Sequence, residues 1–249
     1  MSEGWNRYAE EFNDLSTFDN RNIHTGLGLK GLNPKEVVGS ASSIIDIGCG
    51  EGTNTYLMCS VRNSRTVGID IASSAIDKAN EQYASNTCTF LNCDLYEYLK
   101  QYDGNSFDLV TFWGSLDYLK IDSNFFSGLN QITNIGSRCF VSKFHPMWTS
   151  LYGNDVEEQN MKSYFDEGRL DLIPYGNKNK VFLERIHYSI SYIYNVFREN
   201  GWELKLLQEP KPNIYAASFK YMNYDSDDTL MNRMNNVPMT IIFEFERRR

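Results

Sequence analysis

The 249-residue sequence predicts a doubly wound α/β fold, a mostly parallel sheet with helices on both faces. Two observations carry this reading. Short apolar runs alternate with amphipathic helical segments over the first 145 residues, and the first run ends in a glycine-rich turn, "IIDIGCGEGTNT", spanning Ile44 to Thr55.

In chain order, Trp5, Tyr8, Ala9, Phe12 and Leu15 recur at helical spacing and predict an amphipathic helix over residues 3–18. A second short helical stretch is expected near 27–38. Strands follow at "SSIIDI" (42–47), "RTVGID" (65–70), "CTFLNC" (88–93), "FDLVTFW" (107–113) and "RCFVSKF" (138–144). Between them "TNTYLMCSV", "SSAIDKANEQYA", "LYEYLKQY" and "SNFFSGLNQITN" read as helices. From 146 to 185 neither period is sustained, and the segment reads as an aromatic, turn-rich insertion over the sheet edge. "HYSISYIYNVFRENG" then predicts a helix ending at Gly201, with "WELKLLQEP" a strand stopped by Pro210. "VPMTIIFEFE" (237–246) is expected as a last, antiparallel strand, and the terminal "RRR" as a solvated tail.

Composition narrows the function. The formal charge of −8 and the lack of a basic stripe argue against a nucleic-acid partner. No apolar run approaches a membrane span, and the polar, acidic first residues are unlike a secretory signal. The five cysteines, Cys49, Cys59, Cys88, Cys93 and Cys139, lack the paired spacing of a zinc site and read as reduced thiols. Together these point to a cytoplasmic protein with no metal.

The glycine loop lies where open α/β sheets bind ligands, beyond the carboxyl ends of the strands. Gly48, Gly50 and Gly52 allow a tight turn and a close approach of backbone to ligand. A dinucleotide loop wants G-x-G-x-x-G; here the third glycine comes one residue early, and Asp46 stands two residues before the first. A carboxylate there suits an ammonium better than a pyrophosphate. Asp70, ending the second strand, is placed to accept from ribose hydroxyls, and Asp94, at the tip of the third, from an adenine amine beside the Leu95 amide. Acid, glycine loop, acid, acid on consecutive strand ends outline an adenosine joined to an amino acid. Either strand-end acid is also a plausible helix cap.

"IIDIGCGEGTNT", "VGIDIASSAIDKA", "FLNCDL" and "FDLVTFWGSLDYL" resemble, in order and spacing, the successive motifs of class I S-adenosylmethionine-dependent methyltransferases. "YFDEGRLDLIPYG…RIHYSISYIYNVFRENGWELKLLQEPKP" is similar, more loosely, to the C-terminal part of a group acting on small molecules. The resemblance implies one Rossmann-like domain over 1–249, with strand order 3-2-1-4-5-7-6 and the last strand antiparallel. Residues 1–39 would form a helical lid, and 146–185 a cap between the fifth and sixth strands. It implies S-adenosyl-L-methionine as cofactor and S-adenosyl-L-homocysteine as product. Asp46, Gly48, Gly50 and Gly52 would line the methionine end, with Asp70 at the ribose, Asp94 and Leu95 at the adenine, and Cys49 and Ile71 among the cofactor-binding residues. Tyr8 on the lid and Trp113 ending the fourth strand would reach the cofactor too. "FWGSLDYL" departs from the family's usual Ser-Ser-Leu, so the inherited acceptor class stays open.

The expected reaction is transfer of a methyl group to an N, O or C atom of a small metabolite, as in natural product biosynthesis, by in-line displacement. A base is required only for a hydroxyl or protonated amine acceptor. His145, after the fifth strand, and His187, opening the helix after the insertion, are the candidates for it, with His24 a third histidine able to close over the cofactor. Trp113, Trp148, Tyr152 and Tyr164 would wall the acceptor pocket together with Phe165, or simply hold the insertion to the sheet. The alternatives are a non-catalytic cofactor-binding regulator, a protein side-chain methyltransferase, an aminopropyltransferase and a nucleotide-dependent oxidoreductase.

Overall fold

The structure is a computed structural model that describes residues 2–11, 21–26, 29–152, 161–175, 181–212 and 228–249. A seven-stranded sheet runs through it. Its strands are β1 (Ser43–Ile47), β2 (Arg65–Asp70), β3 (Cys88–Asn92), β4 (Phe107–Trp113), β5 (Thr133–Phe144), β8 (Trp202–Gln208) and β9 (Thr240–Arg247). β6 (Leu170–Tyr175) and β7 (Val181–Ile186) form a separate two-stranded sheet. The large sheet has the order β3-β2-β1-β4-β5-β9-β8, with β9 antiparallel to both of its neighbours. That is the expected 3-2-1-4-5-7-6 arrangement, with the insertion between its fifth and sixth strands.

Strand alternation sorts the core onto two faces. Ile45, Val110, Phe112, Val141 and Phe243 pack on one face with Leu99, Phe125, Phe126, Ile193 and Phe197 from α5 (Leu95–Gln101), α6 (Ser123–Gln131) and α8 (Ile190–Glu199). Ile44, Leu109 and Phe140 pack on the other with Val37, Val38, Leu57 and Met58 from α2 (Pro34–Val38) and α3 (Thr53–Arg62). Covered on both faces, the strands read as apolar runs.

Side-chain caps place the helix starts. Asn33 accepts from Lys35 N–H with Pro34 in the first turn, Asp122 from Asn124 and Phe125 N–H, and Ser189 from Tyr192 N–H. α4 (Ser73–Tyr83) follows β2.

Several boundaries differ from the sequence reading. The N-terminal helix α1 is described over Ser2–Glu11, and Phe12 and Leu15 fall outside the described residues. Among the described residues of the 27–38 stretch, the helix begins at Pro34. Before it the chain makes an isolated bridge between Ile23 and Leu32, because Gly26 and Gly31 take left-handed backbone. β5 begins at Thr133, five residues early; a register shift between Phe107 and Leu109 of β4 accommodates the extra length.

The 146–185 insertion is more regular than its sequence. It contains α7 (Pro146–Tyr152) and the β6–β7 hairpin. The strand signal was inverted: the buried face of the hairpin carries Asp171 and Arg185 beside Ile173 and Leu183, while Leu170, Leu172 and Phe182 are exposed. α9 (Asp228–Asn236) carried no recognised signal. Of the terminal arginines, Arg248 and Arg249 are exposed, as a solvated tail predicts, while Arg247 ends β9 and is half-buried. Arg247 donates to the Asn130 carbonyl at 2.6 Å, and Arg248 pairs with Glu203 and Glu246.

Candidate active site

The carboxyl ends of β1, β2, β3 and β4 converge on the glycine loop. Gly48, Gly50 and Gly52 all have positive φ, but their surroundings differ. A Cβ on Gly48 would strike Ser115, whose hydroxyl donates to the Ile47 carbonyl. A Cβ on Gly52 would lie 2.5 Å from Phe90 Cε1 and 2.9 Å from Ala79 Cβ. Around Gly50 nothing lies within 4 Å. Gly48 and Gly52 therefore close the loop against the sheet and α4, and Gly50 opens onto the ligand space. Cys49, between them, donates its amide to the Ile69 carbonyl at 3.0 Å.

Asp70 ties this loop to the next helix. Its Oδ2 accepts from Gly50 N–H at 2.9 Å and its Oδ1 from Ala72 N–H at 2.8 Å. Burial raises its pKa above the usual carboxylate range, against the lowering effect of these amides. Each oxygen keeps acceptor capacity for a hydroxyl. Ile71, half-buried, follows at the rim.

Asp94 caps α5 by accepting from Tyr96 N–H at 2.8 Å and Glu97 N–H at 3.3 Å. Both bonds fall on Oδ1, which leaves Oδ2 for an incoming donor. Leu95 behind it is buried.

Asp46 is placed differently from its sequence reading. It is 1 % exposed, and its oxygens accept from the hydroxyls of Thr55 on α3 at 2.6 Å and Thr111 on β4 at 2.8 Å. Burial pushes its pKa up to about 6, although the two hydroxyls pull the other way. So arranged, it braces the loop from beneath and does not face an ammonium.

The two candidate bases are committed elsewhere. Met147 N–H donates to His145 Nδ1 at 3.1 Å, so the ring proton sits on Nε2, 2.7 Å from Glu209 Oε1. His187 lies beyond the end of β7, two residues before the capping Ser189, rather than opening α8. Its Nε2 meets the Tyr164 carbonyl at 2.9 Å and Nδ1 faces Thr149 Oγ1 at 3.5 Å. Burial lowers the pKa of both histidines, and both are almost fully enclosed. Neither presents a free nitrogen to an acceptor. His24 exchanges two hydrogen bonds with the Asn54 amide through its own backbone, which pins its segment to the start of α3.

Among the aromatic residues, Trp113 is half-buried beside Phe140, and its Nε1 is buried with no hydrogen-bond partner among the described residues. Trp148 packs with Met234, Met239 and Phe144, so it joins the insertion to α9 and the end of β5. Tyr164 is half-buried, and its hydroxyl accepts from Ile190 N–H at 3.3 Å. Phe165 is 85 % exposed and walls nothing. The side chain of Tyr152 lies outside the described residues.

The particular contacts that α1 makes near these strand ends carry no local sequence signal. A 3-10 turn after β4, Leu116–Tyr118, presents Tyr118 edge-on to Trp5 of α1 at 4.6 Å, and Trp5 in turn meets Tyr8 at 5.6 Å. Asn6 Oδ1 accepts from Ser74 N–H at 3.2 Å at the start of α4. Lys78 on α4 joins the glycine loop to α1, with Nζ 2.7 Å from Glu51 Oε1 and 2.9 Å from the Ala9 carbonyl. β7 packs against both α1 and the 3-10 turn. A buried ion pair, Lys143 Nζ to Asp117 Oδ1 at 2.9 Å, fixes that turn to the end of β5. These contacts join residues far apart in sequence, so no local pattern announces them.

A family profile described as a methyltransferase domain matches residues 39–201, well over half the chain. The chain belongs to this methyltransferase family. Comparison with the curated proteins gives no match. Among solved structures, the methyltransferase is similar to a putative S-adenosylmethionine-dependent methyltransferase from Listeria monocytogenes, with TM-score 0.63, 13% identity and 100% of both chains covered. It is also similar to a chain of the complex between the Haloferax volcanii Trm112 methyltransferase activator and the putative methyltransferase (TM-score 0.66, 13% identity, 100% of this chain and 97% of that one). A third is Burkholderia thailandensis 1,6-didemethyltoxoflavin-N1-methyltransferase, solved with 1,6-didemethyltoxoflavin and S-adenosylhomocysteine. There the TM-score is 0.53 and the identity 13%, over 86% of this chain and 75% of that one.

The protein is thus an S-adenosylmethionine-dependent methyltransferase. Its residues are compatible with that cofactor: the open space around Gly50 follows β1, and Asp94, with one oxygen left, follows β3, both at the carboxyl ends of the parallel strands.

Proposed function

We propose that the protein methylates an N, O or C atom of a small-molecule acceptor enclosed beneath α1 and the β6–β7 hairpin. The observation that carries this reading is the closure itself. Trp5 of α1 meets Tyr118, and β7 packs on both, so the strand ends are roofed where a protein side chain or nucleic acid would need an open groove. In this reading residues 1–39 act as a lid and 146–185 as a cap on one domain spanning 1–249. Among the described residues no helix is long and apolar enough to cross a membrane.

Bound S-adenosylmethionine supplies a methyl group on a sulfonium that is already a good leaving group. The work left to the chain is alignment and exclusion of water. Asp70 holds the ribose hydroxyls and keeps Gly50 in place through its amide. Asp94 and Leu95 bound the adenine, and Gly48, Cys49, Gly50 and Gly52 the methionine end, with Asp46 as the brace below. Trp113 and Tyr8 border the transfer centre, and Tyr164 marks the acceptor side. Both histidines hold the cap instead of moving a proton, which favours an acceptor that is already nucleophilic.

The test is an acceptor screen scored by S-adenosylhomocysteine release, with Asp70→Ala alongside. Release that depends on a small molecule and disappears in Asp70→Ala is the expected result. Release supported only by a protein acceptor would contradict it.

A further inference from the structure

α4 starts beside Asp70, and its own sequence leaves that start without a cap. A helix N-cap ordinarily offers a side-chain oxygen to the second or third amide of its helix. Asp94, Asp122 and Ser189 do this for α5, α6 and α8. The N-cap of α4 is Ala72, which has no such oxygen. The acceptor comes from α1 instead. Asn6 Oδ1 accepts from Ser74 N–H, the second amide of α4, at 3.2 Å, and from the Ser73 hydroxyl at 3.3 Å. The Ser74 hydroxyl, 3.3 Å from both Asn6 Oδ1 and the Asn6 carbonyl, adds a further donor. Ala9 of α1 packs beside Ala72 and Ala75, small side chains that let the two helices meet closely.

These bonds lead back to Asp70 from two directions. Its Oδ1 accepts from Ala72 N–H at 2.8 Å, at the head of the turn that Asn6 caps. Its Oδ2 accepts from Gly50 N–H, and the next residue, Glu51, is tied by Lys78 Nζ to the Ala9 carbonyl in the last turn of α1. α1 thus closes a ring of contacts that runs through the start of α4, Asp70 and the glycine loop. An uncapped first turn frays, and fraying here frees the Ala72 amide that aims the Asp70 carboxylate.

We propose that Asn6 is a positioning residue of the cofactor site, acting through the first turn of α4 on Asp70, so that S-adenosylmethionine is held at full affinity only while α1 is docked. The proposal rests on the reading of Asp70 as the residue that takes the ribose hydroxyls. It makes α1 part of the cofactor site without any contact to the cofactor, besides its place over the acceptor. Linkage makes the effect mutual: the factor by which docked α1 raises cofactor affinity is the factor by which bound cofactor favours docking.

The experiment titrates S-adenosylhomocysteine by calorimetry into the full chain and into Asn6→Ala, Asn6→Asp, Asp70→Ala and the Asn6→Ala/Asp70→Ala double variant. Amide hydrogen exchange is followed beside it, with and without the ligand. Alanine is the better helix former, so Asn6→Ala leaves α1 helical and removes only the cap on α4. It should weaken binding about fivefold. Asn6→Asp keeps the acceptor oxygen and should stay within about twofold of the parent. In the Asp70→Ala background, Asn6→Ala should add less than about twofold, because its route to the ligand is gone. Exchange at Ser74 should quicken in unloaded Asn6→Ala, and the ligand should slow exchange across α1 in the parent. Equal affinity in Asn6→Ala and the parent, losses that simply multiply in the double variant, or Ser74 exchange unchanged by Asn6→Ala would each overturn the proposal. Binding to the parent that Asn6→Ala leaves intact strikes this proposal alone. No binding to the folded parent strikes the cofactor reading and this proposal with it.

Discussion

Asp46 titrates near pH 6 because burial disfavours its charged form more than Thr55 and Thr111 favour it. An unfolded aspartate titrates near 4, so between about pH 4 and 6 the folded protein binds more protons than the unfolded chain. Asp46 therefore withdraws stability as pH rises through that window. Asp46→Asn should flatten the decline by its own share, on the order of 2 kcal/mol, in urea titrations at the two ends of the window. An identical pH dependence in both proteins would show that Asp46 is not the titrating group. His187 makes the opposite kind of prediction. With Nε2 held by the Tyr164 carbonyl, it is structural. His187→Gln should lower the melting temperature and leave the pH profile of turnover below about pH 6.5 unchanged, the range into which burial moves this histidine. Loss of an acidic limb would reinstate it as a base.

At the level of elements, the glycine loop separates stability from binding. An alanine Cβ at Gly52 runs into Phe90 and Ala79, so Gly52→Ala should lower stability by about 1–3 kcal/mol. Gly50→Ala meets no protein atom, and its left-handed backbone costs only about 1–2 kcal/mol. Its methyl enters the ligand space, so it should weaken S-adenosylhomocysteine binding far more than Gly52→Ala does per unit of stability lost. Thermal melts and calorimetry on the pair check this, and equal effects on both quantities would contradict it. The loop was legible in sequence because tight turns and close packing demand glycine locally. The hairpin was not, because its buried strand face carries Asp171 and Arg185 and its exposed face carries Leu170, Leu172 and Phe182, which reverses the usual alternation. β5 was read five residues short because its first half, "TNIGS", has little of the apolar density by which buried strands are recognised.

Across the whole molecule, the placing of Asp70 and Asp94 at strand ends followed from motifs in order along the chain, and the sheet order from the family those motifs resemble. The individual contacts made across those ends did not. Trp5 against Tyr118, Lys78 between Glu51 and Ala9, and Lys143 on Asp117 are contacts between distant segments, and no spacing rule encodes them. The partners of the histidines were hidden for the same reason: their position beyond β5 and β7 is read from the chain, while Glu209 and the Tyr164 carbonyl come near only in three dimensions. The central claim is a cofactor site organised by Asp70 at the tip of β2. Calorimetric titration of S-adenosylhomocysteine into the protein and into Asp70→Ala tests it most directly. Micromolar binding, weakened about tenfold or more (about 1.4 kcal/mol) in a variant that stays folded, is the predicted result. Equal affinity in the two proteins, or no binding to the folded parent, would contradict it.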